Sequence, residues 1–168
     1  SNRAYERGLR ALGTLGSGNH FLELQSVEKL VDEETAKHWG LYEGQLLAMI
    51  HSGSRGLGYQ VCSEHSRKFE QKFKRTNDGW YAEEYDYTLS DRQLACAPIH
   101  SKEGQLCLQE MNAAANFAFA NRSALAHRLR EVLRLEMGVD GEARTLYDVA
   151  HNIAKLETHI VHGKNCQC

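Results

Sequence analysis

Three histidines share one local context in this chain of 168 residues. His20, His51 and His151 each stand at the edge of a short apolar run, beside small or polar residues typical of turns. Strand ends can aim side chains from separate segments into a common pocket, where neutral imidazoles could bind Mn, Zn, Fe or Ni. The alternative is three unrelated histidines satisfied by local hydrogen bonds. Spacing alone favours the alternative and does not exclude a metal site.

A glycine-rich turn at residues 52–58 leads from an apolar run into a helical pattern. Backbone N–H groups at such a helix start, together with Arg55, are suited to hold a phosphate. The turn lacks the Gly-Lys-Ser/Thr of a Walker loop, and a flexible strand-to-helix connection is the other interpretation. Ser-His-Asp chemistry is set aside, because His51 adjoins Ser52 and no G-x-S-x-G is present.

Amides and one carboxylate are further candidates for binding. Asn19 and Asn152 flank two of the histidines and could orient a ligand, although both are also common turn residues. Glu23 could pair with the N–H edge of a guanine-like base or be an ordinary surface group. Three asparagines in an alanine-rich helical pattern could buttress a polar pocket or bond to loop carbonyls: Asn112, Asn116 and Asn121.

Hydrophobic periodicity supplies the elements that must position these groups. Strands are predicted at residues 21–25, 45–50 and 145–150, the second of them buried on both faces. Apolar residues at intervals of three and four predict a helix over 59–74. A longer helix is predicted from the cap at Ser101 to Gly138, with a plausible bend near 121–123. We therefore expect an α+β fold in which short strands present the histidines and two long helices cover one side.

Composition restricts the class of protein. Hydrophobic residues make up 42% and charged residues 25%, as in a soluble globular chain of one domain, which excludes wholesale disorder. A net charge of −2 provides no global basic field, so nucleic acid would have to bind a local patch. No apolar stretch has the length of a membrane span, so we expect no membrane partner. Five cysteines without framework spacing favour a reducing, cytoplasmic compartment.

Four longer motifs, taken together, strongly resemble the RtcB family of RNA-splicing ligases. They are LGTLGSGNHFLE at 12–23, HSGSRGLG at 51–58, SKEGQ at 101–105 with AAANFA at 113–118 and Asn121-Arg122, and DVAHNIAK at 148–155. Their length and order over nearly the whole chain make the resemblance specific. This resemblance, and not periodicity, carries the functional expectation.

The resemblance implies a parent enzyme that joins RNA 2′,3′-cyclic phosphate or 3′-phosphate ends to 5′-hydroxyl ends, in tRNA splicing or RNA repair. It implies GTP and two Mn²⁺ ions as cofactors, a guanylylated histidine, and an activating protein of the archease type as a further partner. By motif, His20 resembles a ligand of one manganese, and His51 and His151 resemble ligands of the other. Arg55 resembles a contact to RNA phosphate. The guanosine-nucleotide contacts implied are Asn19, His20, Phe21, Leu22, Glu23, His151 and Asn152, with Glu23 on the guanine edge.

Two segments of the family pattern are absent from these 168 residues. One is the Asp-x-x-Cys segment, which supplies metal ligands, and the other is His-Arg-Lys-Gly-Ala, whose histidine receives GMP. His162 precedes Gly163 and does not fit that second pattern, so no residue here is assigned as the nucleophile. We expect residues 1–168 to form the central part of one RtcB-like catalytic domain, truncated at both ends, with a mixed sheet and no activity on its own. The alternatives are a non-catalytic metal- or nucleotide-binding module and a structural fragment with unligated histidines.

Overall fold

The structure, a computed structural model, describes residues 1–138, 143–151, 153–155 and 157–167, with residue 167 described in its backbone alone. The helices are α1 (Asn2–Leu9), α2 (Glu33–Trp39), α3 (Arg55–Lys72) and α4 (Lys102–Met137), with a 3₁₀ turn at Arg92–Leu94. The strands are β1 (Phe21–Ser26), β2 (Leu46–His51), β3 (Lys74–Thr76), β4 (Gly79–Ala82), β5 (Tyr87–Leu89), β6 (Thr158–Val161) and β7 (Lys164–Gln167). Helices and strands therefore coexist as the α+β prediction requires.

The strands form three small antiparallel sheets, β1–β2, β3–β4–β5 and β6–β7, among the residues described. The expected mixed sheet is wrong for this part of the chain. A mixed sheet needs a crossover connection that lays a parallel strand beside its neighbour. After β2 the chain enters α3 directly, and no later described strand pairs with β1 or β2.

The two-stranded sheet confirms the predicted strands at 21–25 and 45–50, within one residue at their ends. Its register places Phe21 opposite His51, which brings the start of β1 to the end of β2. Burial of β2 on both faces is wrong, because Leu46 is 55% exposed and Met49 is 40% exposed. Two strands and the contact from α4 leave part of this sheet without a covering layer.

The third predicted strand, at residues 145–150, is also wrong. Residues 143–151 have no regular secondary structure, since no described strand lies beside them to complete a ladder. Polar groups of this segment bond to α4 instead: Arg130 donates from Nε to the Ala143 carbonyl at 2.8 Å and from Nη2 to Thr145 Oγ1 at 2.9 Å. Polar bonds to α4, and not strand pairing, therefore hold this part of the chain.

The two long helices confirm the periodicity analysis and pack antiparallel to one another. Ser101 Oγ accepts a hydrogen bond from the Gly104 amide at 3.0 Å, and Gly138 ends α4 with a φ of 59°. The helix runs without interruption through 121–123. His65 on α3 contacts Glu110 on α4, with Nε2 and Oε2 2.8 Å apart. Within the described residues, no helix is both long and apolar enough to cross a bilayer.

A fully buried asparagine on α4 joins two loops. Asn121 Oδ1 accepts from the amides of Gly13 at 2.7 Å and Thr14 at 3.1 Å. Its Nδ2 group lies 3.1 Å from the Thr14 carbonyl, 3.1 Å from Ser52 Oγ and 3.2 Å from the Gly53 carbonyl. The sequence left open whether this asparagine buttresses a polar pocket or bonds to loop backbone, and the structure shows that Asn121 bonds to loop backbone. It attaches the glycine-rich approach and the β2–α3 turn to one point on α4.

We expect Asn121→Ala to lower the free energy of unfolding by about 3 kcal/mol, because several buried donors and acceptors would lose their partner. Asn112→Ala is the matched control, since Asn112 is an exposed asparagine of the same helix and its loss should cost less than about 0.5 kcal/mol. Urea unfolding followed by circular dichroism measures both variants. Equal shifts of the two transition midpoints would contradict the role given to Asn121.

Candidate functional site

The three histidines identified in the sequence lie together. His20 directly precedes β1, His51 ends β2, and His151 ends the segment bonded to α4. The Nε2 atoms of His51 and His151 are 2.9 Å apart, and their ring centroids are 4.9 Å apart. The ring of His20 lies 5.8 Å from that of His51 and 5.7 Å from that of His151. Residues 131 positions apart along the chain, 20 and 151, thus share one cluster.

Local contacts orient the first two rings. His20 Nδ1 lies 2.7 Å from the Ser17 carbonyl, so Nδ1 must carry the proton of this bond. A neutral His20 therefore keeps its lone pair on Nε2. The Phe21 ring packs edge-on against His51, with centroids 5.2 Å apart. Metal-binding histidines typically donate their second ring N–H to such a carbonyl, which fixes the tautomer and the ring orientation.

His151 is placed by contacts on two sides. Its ring packs on the backbone of Gly53, where an added Cβ would stand 3.5 Å from the imidazole Cγ. Three residues earlier, the Asp148 carboxylate accepts from Arg122 Nε at 2.6 Å. Arg122 Nη1 also donates to the Ser52 carbonyl at 3.2 Å. Ser52 is itself buried, and its hydroxyl donates to the Leu15 carbonyl at 2.7 Å.

The electrostatics of the cluster favour a neutral His151. Partial burial lowers the pKa of its imidazole below the ordinary value of 6.5, and His51, His20 and Arg122 lower it further. Each of these neighbours carries or can acquire positive charge, so protonating His151 would add repulsion. An imidazole binds metal only in its neutral form. The surroundings of His151 therefore favour the ligand form near neutral pH.

The geometry fits two histidines on one divalent ion. Imidazole nitrogens bound at right angles, at the metal–nitrogen distance of about 2.1 Å seen for zinc, lie about 3 Å apart. The 2.9 Å between the Nε2 atoms of His51 and His151 matches that separation. Across the described residues, no three side chains among His, Cys, Asp and Glu converge on a single cation position. The pair of histidines is thus a partial ligand set, with His20 displaced from it.

The glycine-rich approach closes over Arg55 at the start of α3. Arg55 Nε donates to Thr14 Oγ1 at 3.3 Å, and a side chain at Gly16 would overlap the Arg55 guanidinium. Gly16 adopts a φ of 123°, which side-chain-bearing residues rarely reach. Ser54, the N-cap residue, makes no capping bond through its side chain, which leaves first-turn N–H groups without that partner. Phosphate binding at this turn stays a prediction.

Of the residues expected to contact a nucleotide, those at 19–23 lie at the start of β1, next to the cluster that contains His151. Asn19 and Glu23 are exposed, whereas Phe21 and Leu22 are half-buried. Glu23 Oε1 accepts from Gln25 Nε2 at 2.6 Å. Asn152 lies outside the described residues. The structure therefore puts Asn19 and Glu23 on one short segment beside His20.

Sequence reasoning missed the contribution of Arg122 and Asp148 to the arrangement of the cluster. Arg122 is only 7% exposed, and an arginine so deeply buried in an alanine-rich helix requires a partner. Its position within the buried stripe of α4 was the available signal. A mainly apolar cavity of about 370 Å³ between α3 and α4, which reaches Arg122 and His151 at one end, was also missed.

Comparison with known proteins identifies close relatives. The family model described as "RtcB: tRNA-splicing ligase RtcB" matches residues 1–167. The chain is 48% identical to tRNA-splicing ligase RtcB of Archaeoglobus fulgidus over 167 residues, which cover 98% of this chain and 33% of that protein. It is 47% identical to RNA-splicing ligase RtcB of Mycobacterium tuberculosis over 164 residues, which cover 98% and 35% respectively. The chain thus spans about a third of the length of these relatives.

We expect an NMR titration of the imidazoles to place the pKa of His151 below 6.5. The folded chain then binds this proton less readily than the unfolded chain, so the His151 contribution to the free energy of unfolding falls as pH drops below 6.5. His51→Ala should raise the pKa of His151, since it removes a neighbour and admits water. A pKa that stays unchanged in His51→Ala would refute the proposed coupling between the two rings.

Proposed function

Because this chain belongs to the RtcB family of tRNA-splicing ligases, we propose that it forms the histidine-bearing centre of an RNA ligase. The observation that carries the proposal is the convergence of His20, His51 and His151, each supplied by a different family motif. Loop residues that merely satisfied local hydrogen bonds would have no reason to meet across such separations in sequence. The proposal concerns activity at the scale of the whole enzyme, because the relatives are about three times as long as this chain.

The reaction proposed for the parent enzyme joins RNA ends bearing a 2′,3′-cyclic phosphate or 3′-phosphate to 5′-hydroxyl ends. The names of the relatives, tRNA-splicing and RNA-splicing ligases, support RNA ligation. The end chemistry, the use of GTP and an archease-type activator are carried over from the resemblance of the motifs. The histidine that would receive GMP has no counterpart among residues 1–168. A cytoplasmic location remains the expectation drawn from cysteine usage.

We assign His51 and His151 to one Mn²⁺ and His20 to a second. The 2.9 Å between the Nε2 atoms supports the shared ion, and the distance of His20 from both supports its separate assignment. When bound, two divalent ions would stabilise negative charge on the attacking and leaving oxygens. The chain itself contributes oriented imidazoles: the Ser17 carbonyl selects the tautomer of His20, and burial together with the neighbouring His51, His20 and Arg122 lowers the pKa of His151, which favours its neutral form.

The guanosine nucleotide is assigned to residues 19–23 together with His151 and Asn152. Glu23 is exposed on β1, and its carboxylate supplies the acceptors that the N–H edge of guanine requires. Arg55 and the first turn of α3 are assigned to RNA phosphate, because a guanidinium and uncapped helix N–H groups both bind anions. These assignments put the nucleotide at the start of β1 and the RNA phosphate at the start of α3.

A second candidate is a module that binds metal without catalysis. It is favoured by the partial ligand set, since Mn²⁺ prefers carboxylate oxygens and no third ligand joins His51 and His151 among the described residues. A purely structural role is the third candidate, because the contact between these histidines is also a hydrogen bond. A measurement of metal binding distinguishes the structural role, which requires no metal, from the ligase centre and the metal-binding module, which both require it.

We expect the 168-residue chain to bind Mn²⁺ through His51 and His151. Addition of protein should reduce the electron paramagnetic resonance signal of free Mn²⁺, measured with and without GTP. His51→Ala and His151→Ala should each abolish the reduction because one ligand remains. His127→Ala, at an exposed histidine of α4, is the matched control and should bind like the unaltered chain. If the unaltered chain leaves the signal unchanged in both conditions, no metal site is preformed in residues 1–168.

We expect residues 1–168 to acquire no covalent GMP when incubated with GTP and Mn²⁺, because none of their histidines stands in the family's His-Arg-Lys-Gly-Ala pattern. Intact-mass spectrometry measures this directly. The unincubated chain is the control. A mass increase of one GMP would show that another residue serves as nucleophile and would overturn the assignment.

A further inference from the structure

The ion pair between Arg122 and Asp148 connects α4 to the segment that carries His151. Arg122 Nε and Asp148 Oδ1 are 2.6 Å apart, and the arginine side chain is 8% exposed. Asp148 precedes His151 by three residues in a segment without strand or helix. A buried guanidinium without its counter-ion is costly, so this pair opposes any movement that would separate the segment from the helix.

The same guanidinium also contacts the segment that carries His51. Its Nη1 donates to the Ser52 carbonyl at 3.2 Å, and Ser52 directly follows His51. Arginine presents its donors in a rigid planar fork, so two groups bonded to it have a defined relative position. Arg122 therefore fixes the position of Ser52, next to His51, relative to Asp148, three residues before His151.

Other contacts of the segment do not provide this relation. Arg130 bonds to Ala143 and Thr145, which precede His151 by eight and six residues. Such a length of irregular chain does not define where the imidazole lies. The Gly53 backbone supports one face of the His151 ring but makes no directional bond to it among the contacts described. Apart from the hydrogen bond between the two rings themselves, the Arg122 contacts are the directional contacts described nearest to both histidines.

We propose that Arg122, through Asp148 and the Ser52 carbonyl, is a positioning residue that sets the His51–His151 separation. Arg122 acts through the two segments and needs no contact with an ion. The value of this separation for metal binding rests on the proposed function, whereas the separation itself can be measured without metal. Residues that orient metal ligands from outside the ligand set typically change metal affinity about 10–100-fold when substituted.

The first test is metal-free. Ring protons of His51 and His151 should give a nuclear Overhauser effect in the unaltered chain, because the ring centroids are 4.9 Å apart. Asp148→Ala should abolish it while the helical circular dichroism stays unchanged, since Asp148 lies outside the helices. Asp148→Asn, which retains an acceptor oxygen, should restore part of it. Arg130→Met is the matched control: it removes another arginine contact to the same segment and should retain the effect.

The second test is Mn²⁺ affinity, measured with the same variants. Asp148→Ala should raise the dissociation constant about 10–100-fold, and Arg130→Met should change it less than about threefold. If the unaltered chain binds no Mn²⁺, no metal site is preformed in residues 1–168, and the metal-free measurement still decides the positioning role. The proposal is overturned if Asp148→Ala keeps the ring contact, or if Arg130→Met loses it equally. Since Arg122→Met is at risk of misfolding, the Asp148 variants carry both tests.

Discussion

The arrangement of the site depends on the amide of Asn121, which is buried and bonded to backbone on either side of it. Burying an unpaired amide is costly, so this side chain is stable only when both loops meet it with the correct groups. Its hydrogen bonds therefore fix two loops relative to α4: the glycine-rich approach before His20 and the turn after His51. Arg128 adds a bond from the same helix to the Gly13 carbonyl at 2.7 Å.

Consecutive residues of one helix thus organise three segments that have little regular structure of their own. Asn121 holds the approach to β1 and the end of β2, and Arg122 holds the end of β2 and the segment before His151. A helix of 36 residues is a rigid reference, whereas a two-stranded sheet by itself is marginal. Placing the histidines on loop ends and their supports on the helix combines access to ligands with a defined geometry.

The groups around the histidine cluster also influence the protonation of His151. The chain has a net charge of −2, yet the groups nearest to His151 are two other histidines and a buried arginine. Burial and these neighbours lower the pKa of His151, and the charge of Arg122 is balanced by Asp148. The cluster does not supply the carboxylate oxygens that hard divalent ions prefer. The relatives, about three times as long, have further chain from which such groups could come.

Local signals in the sequence were sufficient for β1, β2, α3 and α4, because alternation, helical spacing and caps act between residues a few positions apart. The same signals placed each histidine at the edge of an apolar run. They failed for residues 145–150, which were predicted as a short strand but have no partner strand among the residues described. The antiparallel pairing, the 2.9 Å between His51 and His151, and the roles of Asn121 and Arg122 emerged only in the folded chain. These features rest on contacts between residues up to 108 positions apart, and no periodic pattern encodes which distant groups will meet.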